Sequence, residues 1–369
     1  MSSCKSPFTM GVEEEYQIVD AETRELSSSA TALLAQAKNK LGKRAQPELH
    51  LSQIEAATAI CWTLHDVRRG LARQRREMSK AAERYGTQIA ASGTHPFSHW
   101  KGQSITPKER YLGIVADYQQ IAREPIYGCH VHIGVEGREL ALQIMNRVRP
   151  WLAPLLALAA NSPFWLGEYT GYASFRTLMW SRWPTAGPPQ IFSSLDEYHN
   201  LIRSLVAVGS IGDATNIYWD VRLSERYSTL EFRVTDICLT IDEAVMIAGL
   251  VRALVRTCYE QALRDEPVQE IRTELLRASH WRAARYGLSK TLIDACEQRE
   301  LPAREMIERL LAFLRPALEE EKDWDEIAAL TRETLYQGNG ASRQLAVYQR
   351  REDIQDVVDY IMAETAKGI

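Results

Sequence analysis

Hydrophobic and polar residues first alternate along Met10–Val19, and that period of two predicts a strand. Val12, Tyr16 and Ile18 fall on one face together with Glu14, while Glu13, Glu15 and Gln17 share the other. Alternation returns in part over Pro47–Thr58 and cleanly over Tyr127–Gly134. It returns again as a hairpin, Asn216–Leu223 and Thr229–Ile237, joined by the polar turn Ser224–Ser228. There Leu230, Phe232 and Val234 are expected toward the core and Glu231, Arg233 and Thr235 away from it, with Asp220 and Arg222 sharing a face. Thr87–Ser92 reads as a further short strand, broken by Gly93-Thr-His-Pro-Phe97.

Helical periodicity takes much of what remains. Ala30–Leu41 follows the capping candidates Ser27–Ser29 and stops at Gly42. Thr63–Tyr85 carries Val67, Leu71, Met78 and Ala82 on a buried stripe, and its arginines (Arg68, Arg69, Arg73, Arg75, Arg76) read as a solvated face. Pro107–Arg123, Glu139–Ala160 (divided at Pro150 and Pro154) and Leu195–Val208 follow. From Ile241 the pattern is almost wholly helical: Asp242–Leu263, Val268–Ala278, Leu288–Gln298, Ala303–Glu319, Trp324–Leu335 and Arg351–Ala366. Gly338-Asn-Gly-Ala-Ser-Arg343 reads as a glycine-bearing loop, a weak phosphate candidate. Asn161–Phe192 shows no period and is rich in Gly, Pro and Trp. Long irregular segments of this kind are often functional in compact proteins. Its Arg176 and Arg182 fit either a carboxylate-binding role in a partly dry pocket or a packed surface loop.

The chain of 369 residues has room for two domains or one large one. A net charge of -4 argues against a general nucleic-acid binder. No apolar run approaches a membrane span, since Trp151–Ala160 is short and interrupted by Pro154. The N-terminus lacks a secretory pattern, and the scattered cysteines (Cys4, Cys61, Cys129, Cys238, Cys258, Cys296) read as reduced thiols. The expectation is a cytoplasmic protein.

Candidate chemistry starts from Glu13 and Glu15. Two carboxylates about 7 Å apart on one strand face repel, so they are either solvated on an ordinary edge strand or held by a cation between them. Glu48 and Glu55 stand on opposite faces of any regular strand. Both reach one site only through a bulge, or if Glu48 lies beyond the strand end. His130 and His132 share a face, open to metal or phosphate contact or to a role in the core. The hairpin residues equally fit a cross-strand salt-bridge ladder. Taken together, Glu13, Glu15, Glu48, Glu55, His130 and Glu231 form an oxygen-rich, cysteine-free set that favours Mg²⁺ or Mn²⁺ over Zn²⁺, with carboxylates enough for two or three ions. Such sites usually handle phosphate, with an arginine neutralising the charge in transfer. There is no Gly-x-x-x-x-Gly-Lys-Ser/Thr loop, so an ATP user of this kind would hold its nucleotide through metals on a sheet.

The joint order of several motifs resembles the YbdK-type carboxylate–amine ligases, relatives of the plant and bacterial glutamate–cysteine ligases and, more remotely, of glutamine synthetase. The motifs are Gly11-Val-Glu-Glu-Glu-Tyr16, Ser92-Gly-Thr-His-Pro-Phe97, Gly128-Cys-His-Val-His132, Ala160-Asn-Ser-Pro-Phe-Trp165 and Thr170-Gly-Tyr-Ala-Ser-Phe-Arg176. They continue with Pro184-Thr-Ala-Gly-Pro-Pro189, Trp219-Asp-Val-Arg222, Thr229-Leu-Glu-Phe-Arg-Val-Thr-Asp236 and Trp281-Arg-Ala-Ala-Arg-Tyr-Gly287.

The resemblance implies an α+β, glutamine-synthetase-like fold: a funnel of mostly antiparallel strands backed by helices, with ATP and divalent ions inside. It implies one ligase domain over residues 1–369, sheet-forming over 1–240 and mainly helical over 241–369. Glu13 and Glu15 match the first-strand acidic pair, Glu48 and Glu55 a second pair, and His130 a mid-strand histidine. Glu231 and Arg233 match a Glu-x-Arg strand on which Arg233 serves catalysis; Arg176, Arg182 and His132 are the candidate substrate contacts. The implied chemistry is phosphorylation of an amino-acid-like carboxylate by ATP, then attack by an amine, with glutamate and cysteine as the family default and a homodimer as one expectation for the assembly. Two other classes stay open: a non-catalytic binding relative, and a His-x-His oxygenase or hydrolase that would use iron or zinc without ATP.

Overall fold

The computed structural model describes residues 8–369; Cys4 and the N-terminal reading lie outside them. The strands, in chain order, are β1 (Met10–Asp20), β2 (Ala45–Pro47), β3 (Gln53–Ala57), β4 (Thr87–Ala90) and β5 (Gly128–Gly134). They are followed by β6 (Phe164–Trp165), β7 (Glu168–Tyr169), β8 (Val221–Leu223), β9 (Thr229–Asp236), β10 (Thr291–Asp294) and β11 (Arg299–Pro302). Seven of them form an antiparallel sheet in the order β2-β3-β1-β5-β9-β8, with β4 also paired to β1. β1 is the hub, because its first half pairs with β5, its middle with β3 and its last residues with β4.

The apolar face of that sheet explains the helices around it. Val12, Val131 and Phe232 pack in one continuous core with the helix Ile241–Leu263, whose start is fixed by a capping box of Thr240 and Glu243. Tyr16, Ile18 and Ile54 pack in a second core with the helices Ala30–Leu41 and Leu64–Glu83. Helices thus cover one face of the sheet, and Glu13 and Glu15 of β1 are left on the other.

Arg75 does not belong to a solvated face, as the helical pattern predicted. It is fully buried and paired with Glu14, which shares the core face of β1. Its guanidinium also donates to the carbonyls of Leu239 and Cys238 at 2.9 Å each, and Glu14 accepts from Gln74 at 3.2 Å. A buried pair broken on one side typically costs about 3–5 kcal/mol, because the remaining charge is left uncompensated. Arg75→Met is therefore expected to lower the unfolding free energy read from urea titration by that amount, while the exposed Arg76→Met leaves it almost unchanged.

Three other expectations are corrected. Leu288–Gln298 is not a helix but the β10–β11 hairpin. The Asp294 carboxylate there accepts from the amides of Cys296 (2.9 Å) and Glu297 (3.0 Å), and Gln298 takes the left-handed backbone that closes the turn. Residues 338–343 are not a free loop, since Asn339 caps the helix Gly340–Arg351 by accepting from the Ser342 amide. The helix placed at Val268–Ala278 spans Thr273–Tyr286 and stops at Gly287. Asn161–Phe192 is irregular apart from the small β6–β7 hairpin and the helix Phe175–Trp180.

Candidate active site

Strand register assembles the polar face. Glu15 stands opposite Glu55 on β3, Glu13 opposite His130 on β5, and His132 opposite both Gly11 on β1 and Glu231 on β9. Glu231 in turn stands opposite Arg222 on β8. Directly paired residues of antiparallel strands project to the same side, so these groups converge. The β5–β9 register slips by one residue between Cys129 and Val131, so β9 carries a bulge. Strict alternation would separate Asp236 from Glu231; the bulge places it opposite Gly128, back on the polar side. It also turns Thr235, expected on the polar side, opposite Cys129, whose carbonyl accepts its hydroxyl at 2.8 Å.

Glu48 reaches the site by the second of the two routes that its parity left open. β2 ends at Pro47 and β3 begins at Gln53, so Glu48 sits on the connecting turn. Its carboxylate accepts from the Leu49 amide at 3.0 Å, and its carbonyl accepts the Thr106 hydroxyl at 2.5 Å. Carboxylate oxygens of Glu15, Glu48 and Glu55 all lie within 4.8 Å of one another. A cavity of ≈ 360 Å³ opens over this face and is lined by all three, by Glu13, Glu231, His130 and His132, and by Arg176, Arg222 and Arg233.

Charges in the cavity divide into an unbalanced and a balanced half. Burial and mutual repulsion push Glu48 up from 4.5 to about 7 and raise Glu55 well above the usual range; burial also raises Glu15. Glu15 accepts the Gly128 amide at 2.6 Å and lies 3.9 Å from His130 Nε2, but among the described residues no lysine or arginine pairs directly with the trio. Glu13 behaves oppositely. Burial works against its charge, yet contacts with His130 (3.7 Å) and His132 (3.5 Å) hold its carboxyl well below the ordinary range. Burial and the Arg233 charge lower His130 to about 4. Burial also disfavours charge on His132, but Glu13 raises it on balance. Glu231 is buried too, and Arg233 and Arg222 hold it well below its usual value. Arg222 grips it through two hydrogen bonds, 2.9 and 3.1 Å, so part of the salt-bridge ladder anticipated for the hairpin does exist.

The donor set fits divalent cations. It is oxygen-rich, its three closest carboxylates have no lysine or arginine in direct contact among the described residues, and the Nε2 atoms of His130 and His132 are buried without a hydrogen-bond partner.

The irregular segment delivers Arg176 and is locked down from below. The Asp236 carboxylate accepts from the Asn161 amide (2.8 Å), the Ser162 hydroxyl (2.7 Å) and the Ser174 hydroxyl (2.8 Å). Arg176 is buried, 3.9 Å from Asp236, and stacks with Arg233 on the indole of Trp180. Glycine at 128 leaves room for this placement, because a Cβ there would overlap the Arg176 guanidinium and push it aside. Arg182 goes elsewhere: it pairs with Glu124 and does not line the cavity.

Sequence reasoning assigned no site role to Arg222, Asp236 or Trp180. The first two lie inside motifs that were visible, next to Glu231 in register or one bulge away from it. Trp180 had only its place in the irregular segment to mark it. The Asp220 carboxylate, a candidate partner for Arg233, instead faces His280 at 3.2 Å.

The family model for glutamate–cysteine ligase family 2 matches residues 9–360. A protein of Rhodopirellula baltica named "Putative glutamate--cysteine ligase 2" is 39% identical over 363 residues, covering 97% of this chain and 96% of its own. Among solved structures, a Francisella tularensis glutamate–cysteine ligase in complex with AMP superposes with a TM-score of 0.71 at 11% identity, covering 98% of this chain and 89% of that one. A bifunctional glutathione synthetase from Pasteurella multocida gives 0.70 at 16% identity, covering 98% and 52%. Those two likenesses establish the fold, an α+β antiparallel sheet backed by helices. Fold, acidic face and family match together define an ATP-dependent carboxylate–amine ligase. The chain belongs to glutamate–cysteine ligase family 2. That assignment disfavours both the non-catalytic reading and the His-x-His oxygenase or hydrolase. Among the described residues, no helix is long and apolar enough to cross a membrane.

Proposed function

We propose that the enzyme joins an amino-acid-like carboxylate to an amine through an acyl phosphate. The observation that carries this reading is the half-buried Glu15–Glu48–Glu55 trio, its oxygens within 4.8 Å, in one cavity with Arg176 and Arg233. The trio, together with Glu13, His130 and Glu231, would hold two or three Mg²⁺ or Mn²⁺ ions. When bound, such ions screen the phosphate charges of ATP and of the phosphoryl group in transfer.

The residues of this chain do the rest. A substrate carboxylate oxygen attacks the γ-phosphorus, the bond to the β-phosphate oxygen breaks, and ADP leaves. Arg233 neutralises the equatorial oxygens of the moving phosphoryl group. The amine nitrogen then attacks the acyl carbon, and the phosphate departs with the bonding pair. Arg176 holds a substrate carboxylate, and the buried site limits hydrolysis of the mixed anhydride. His132, 3.5 Å from Glu13 and 3.1 Å from the Thr229 hydroxyl, is assigned to substrate contact.

The test is a screen of carboxylate and amine pairs with Mg²⁺ or Mn²⁺, reading ADP, phosphate and the coupled product by mass. ADP formation that depends on both the acid and the divalent cation is expected, with glutamate plus cysteine as one pair. Metal-dependent oxidation or hydrolysis without ATP would reject the ligase reading. In the same assay Arg176→Ala is expected to raise the KM of the carboxylate substrate at least about tenfold, as loss of a charged hydrogen bond would. Unchanged KM for every productive acid would make Arg176 purely a structural anchor of its segment.

A further inference from the structure

The lysine and arginines that line the cavity divide by what already holds them. Arg222 and Arg233 are paired with Glu231, and Arg176 lies beside Asp236. Lys108, Arg110 and Arg226 line the same cavity from its exposed mouth, and among the described residues none of them pairs with a carboxylate. Lys108 lies over the ring of Tyr111, 5.4 Å from its centroid. Arg226 belongs to the β8–β9 turn, at the β8 edge of the sheet and away from β2 and Glu48. Arg110 remains, and no step described so far uses it.

Arg110 is carried to the acidic trio by the backbone before it. The Leu51 amide donates to the Ser104 carbonyl at 2.8 Å, and the Thr106 amide donates to the Leu49 carbonyl at 2.9 Å. The Thr106 hydroxyl donates to the Glu48 carbonyl, and the Tyr111 hydroxyl donates to the Pro47 carbonyl at 2.9 Å. The start of the helix Glu109–Tyr118 is thus fastened to the turn that bears Glu48. Burial and Glu15 raise Glu48, and the charges of Arg233 and Arg110 work against that rise. From this position the Arg110 guanidinium reaches across the mouth to the Thr215 hydroxyl at 3.1 Å. Thr215 belongs to the opposite wall, where its carbonyl accepts from Arg222 at 3.0 Å. A neutral hydroxyl is a weak partner for a guanidinium and leaves most of its N–H donors free.

With divalent ions on Glu15, Glu48 and Glu55, the carboxylate charge that Arg110 faces is cancelled and phosphate oxygens take its place. The trio extends from β1 to the β2–β3 turn. A nucleotide whose γ-phosphoryl group meets Arg233 and whose other phosphates meet the trio therefore runs toward Glu48 and Arg110. We propose that Arg110 binds the β-phosphate of the nucleotide and takes up the charge left on it when ADP departs. The inference rests on the ligase reading and adds a leaving-group contact to it. The step balances: acid carboxylate plus ATP gives acyl phosphate plus ADP. The O–P bond to the acid forms as the bond from the γ-phosphorus to the β-phosphate oxygen breaks, and the electron pair stays on that oxygen. Charge on the β-phosphate grows through this step, so a guanidinium fork placed there binds the transition state more tightly than it binds ATP. Thr215 is the resting partner that the phosphate replaces.

The experiment uses the full-length protein with Mg²⁺. ADP and AMP are titrated by calorimetry into the wild type, Arg110→Ala, Arg110→Lys and Thr215→Val, and melting temperatures are recorded beside them. Arg110→Ala is expected to weaken ADP binding at least about tenfold, the scale of a lost charge-assisted hydrogen bond. Binding of AMP, which has no β-phosphate, should be nearly unchanged. Arg110→Lys should recover part of the loss, and Thr215→Val should bind ADP as the wild type does. Melting temperatures should stay alike, because Arg110 is exposed. In turnover with Mg·ATP, kcat/KM for ATP should fall in Arg110→Ala while the KM of the acid stays the same. Unchanged ADP affinity in Arg110→Ala, or a wild type that does not bind Mg·ADP, overturns the inference. An equal loss for AMP, or an equal loss in Thr215→Val, also overturns it and makes the Arg110–Thr215 pair a structural clasp. A raised KM for the acid with ADP binding intact overturns it as well and moves Arg110 to the acid. Should no acid and amine turn over ATP, the ligase reading fails by itself and the ADP titration still decides Arg110.

Discussion

Glu55→Gln is expected to stabilise the metal-free protein while lowering ATP-dependent turnover by at least about 100-fold, the scale of a lost metal or electrostatic contact. The opposite signs follow from one geometry. Carboxylate oxygens of the half-buried Glu15, Glu48 and Glu55 lie within 4.8 Å of one another, and desolvation with mutual repulsion raises both Glu48 and Glu55 above the usual carboxylate value. The native state therefore binds more protons than the unfolded chain near neutrality, and stability falls as pH rises. For Glu48 that loss falls between 4.5 and about 7. Replacing Glu55 by a neutral isostere relieves the repulsion, so the melting temperature of the metal-free variant should rise and depend less on pH. Adding Mg²⁺ or Mn²⁺ should raise the melting temperature of the wild type and have little effect on the variant. A variant that melts like the wild type with and without metal, and turns over normally, would reduce the trio to a polar surface. Glu13→Gln should also lose activity, but without the gain in stability, because Glu13 is already balanced by His130 and His132.

Much of this face was legible because strand period and register are strict. Alternation alone put Glu13 with Glu15 and His130 with His132, and antiparallel pairing then brought the two pairs together. Seven-residue spacing put Glu48 out of phase with Glu55, and only the turn after Pro47 resolves that parity. The bulge in β9 was invisible to a period-of-two reading, so Thr235 was assigned to the wrong side and Asp236 was left out. Arg75 was misread for a related reason. An arginine next to a buried helical stripe looks solvated until a carboxylate on a distant strand, here Glu14, is known to face it. The hairpin at β10 and β11 shows the limit of local pattern: Thr291, Leu292 and Ile293 fit helix or strand alike, and the turn at Asp294 decides. Trp180 needed the tertiary structure altogether, since its segment has no period to read, and of the two arginines named there only the structure separates Arg176, in the cavity, from Arg182, paired with Glu124.

Arg233→Lys is expected to lower kcat by about 10²–10³, which corresponds to about 3–4 kcal/mol of transition-state stabilisation, with near-normal affinity for Mg·ATP. Arg233 stands two residues from Glu231 on the polar side of β9, half-buried at the cavity wall and stacked on Trp180. It is paired with Glu231 and lies 3.4 Å from His130, so its guanidinium sits between the two halves of the acidic face. Lysine keeps the positive charge that Glu231 requires, so the fold and the resting charge balance should survive the exchange. What lysine lacks is the planar fork that contacts two phosphate oxygens at once, an interaction that strengthens as charge moves onto the phosphoryl group. The competing role, a structural bridge across the hairpin to Asp220, loses its partner here. The Asp220 carboxylate faces His280, and only its backbone carbonyl accepts from the Arg233 amide, at 2.8 Å. Asp220→Asn should therefore leave nucleotide affinity unchanged, with any loss appearing in melting temperature. Measured together, kcat, nucleotide affinity and melting temperature separate the two roles. A kcat near wild type in Arg233→Lys would remove Arg233 from the phosphoryl-transfer step, and a fall in melting temperature matching the fall in kcat would make it a structural residue.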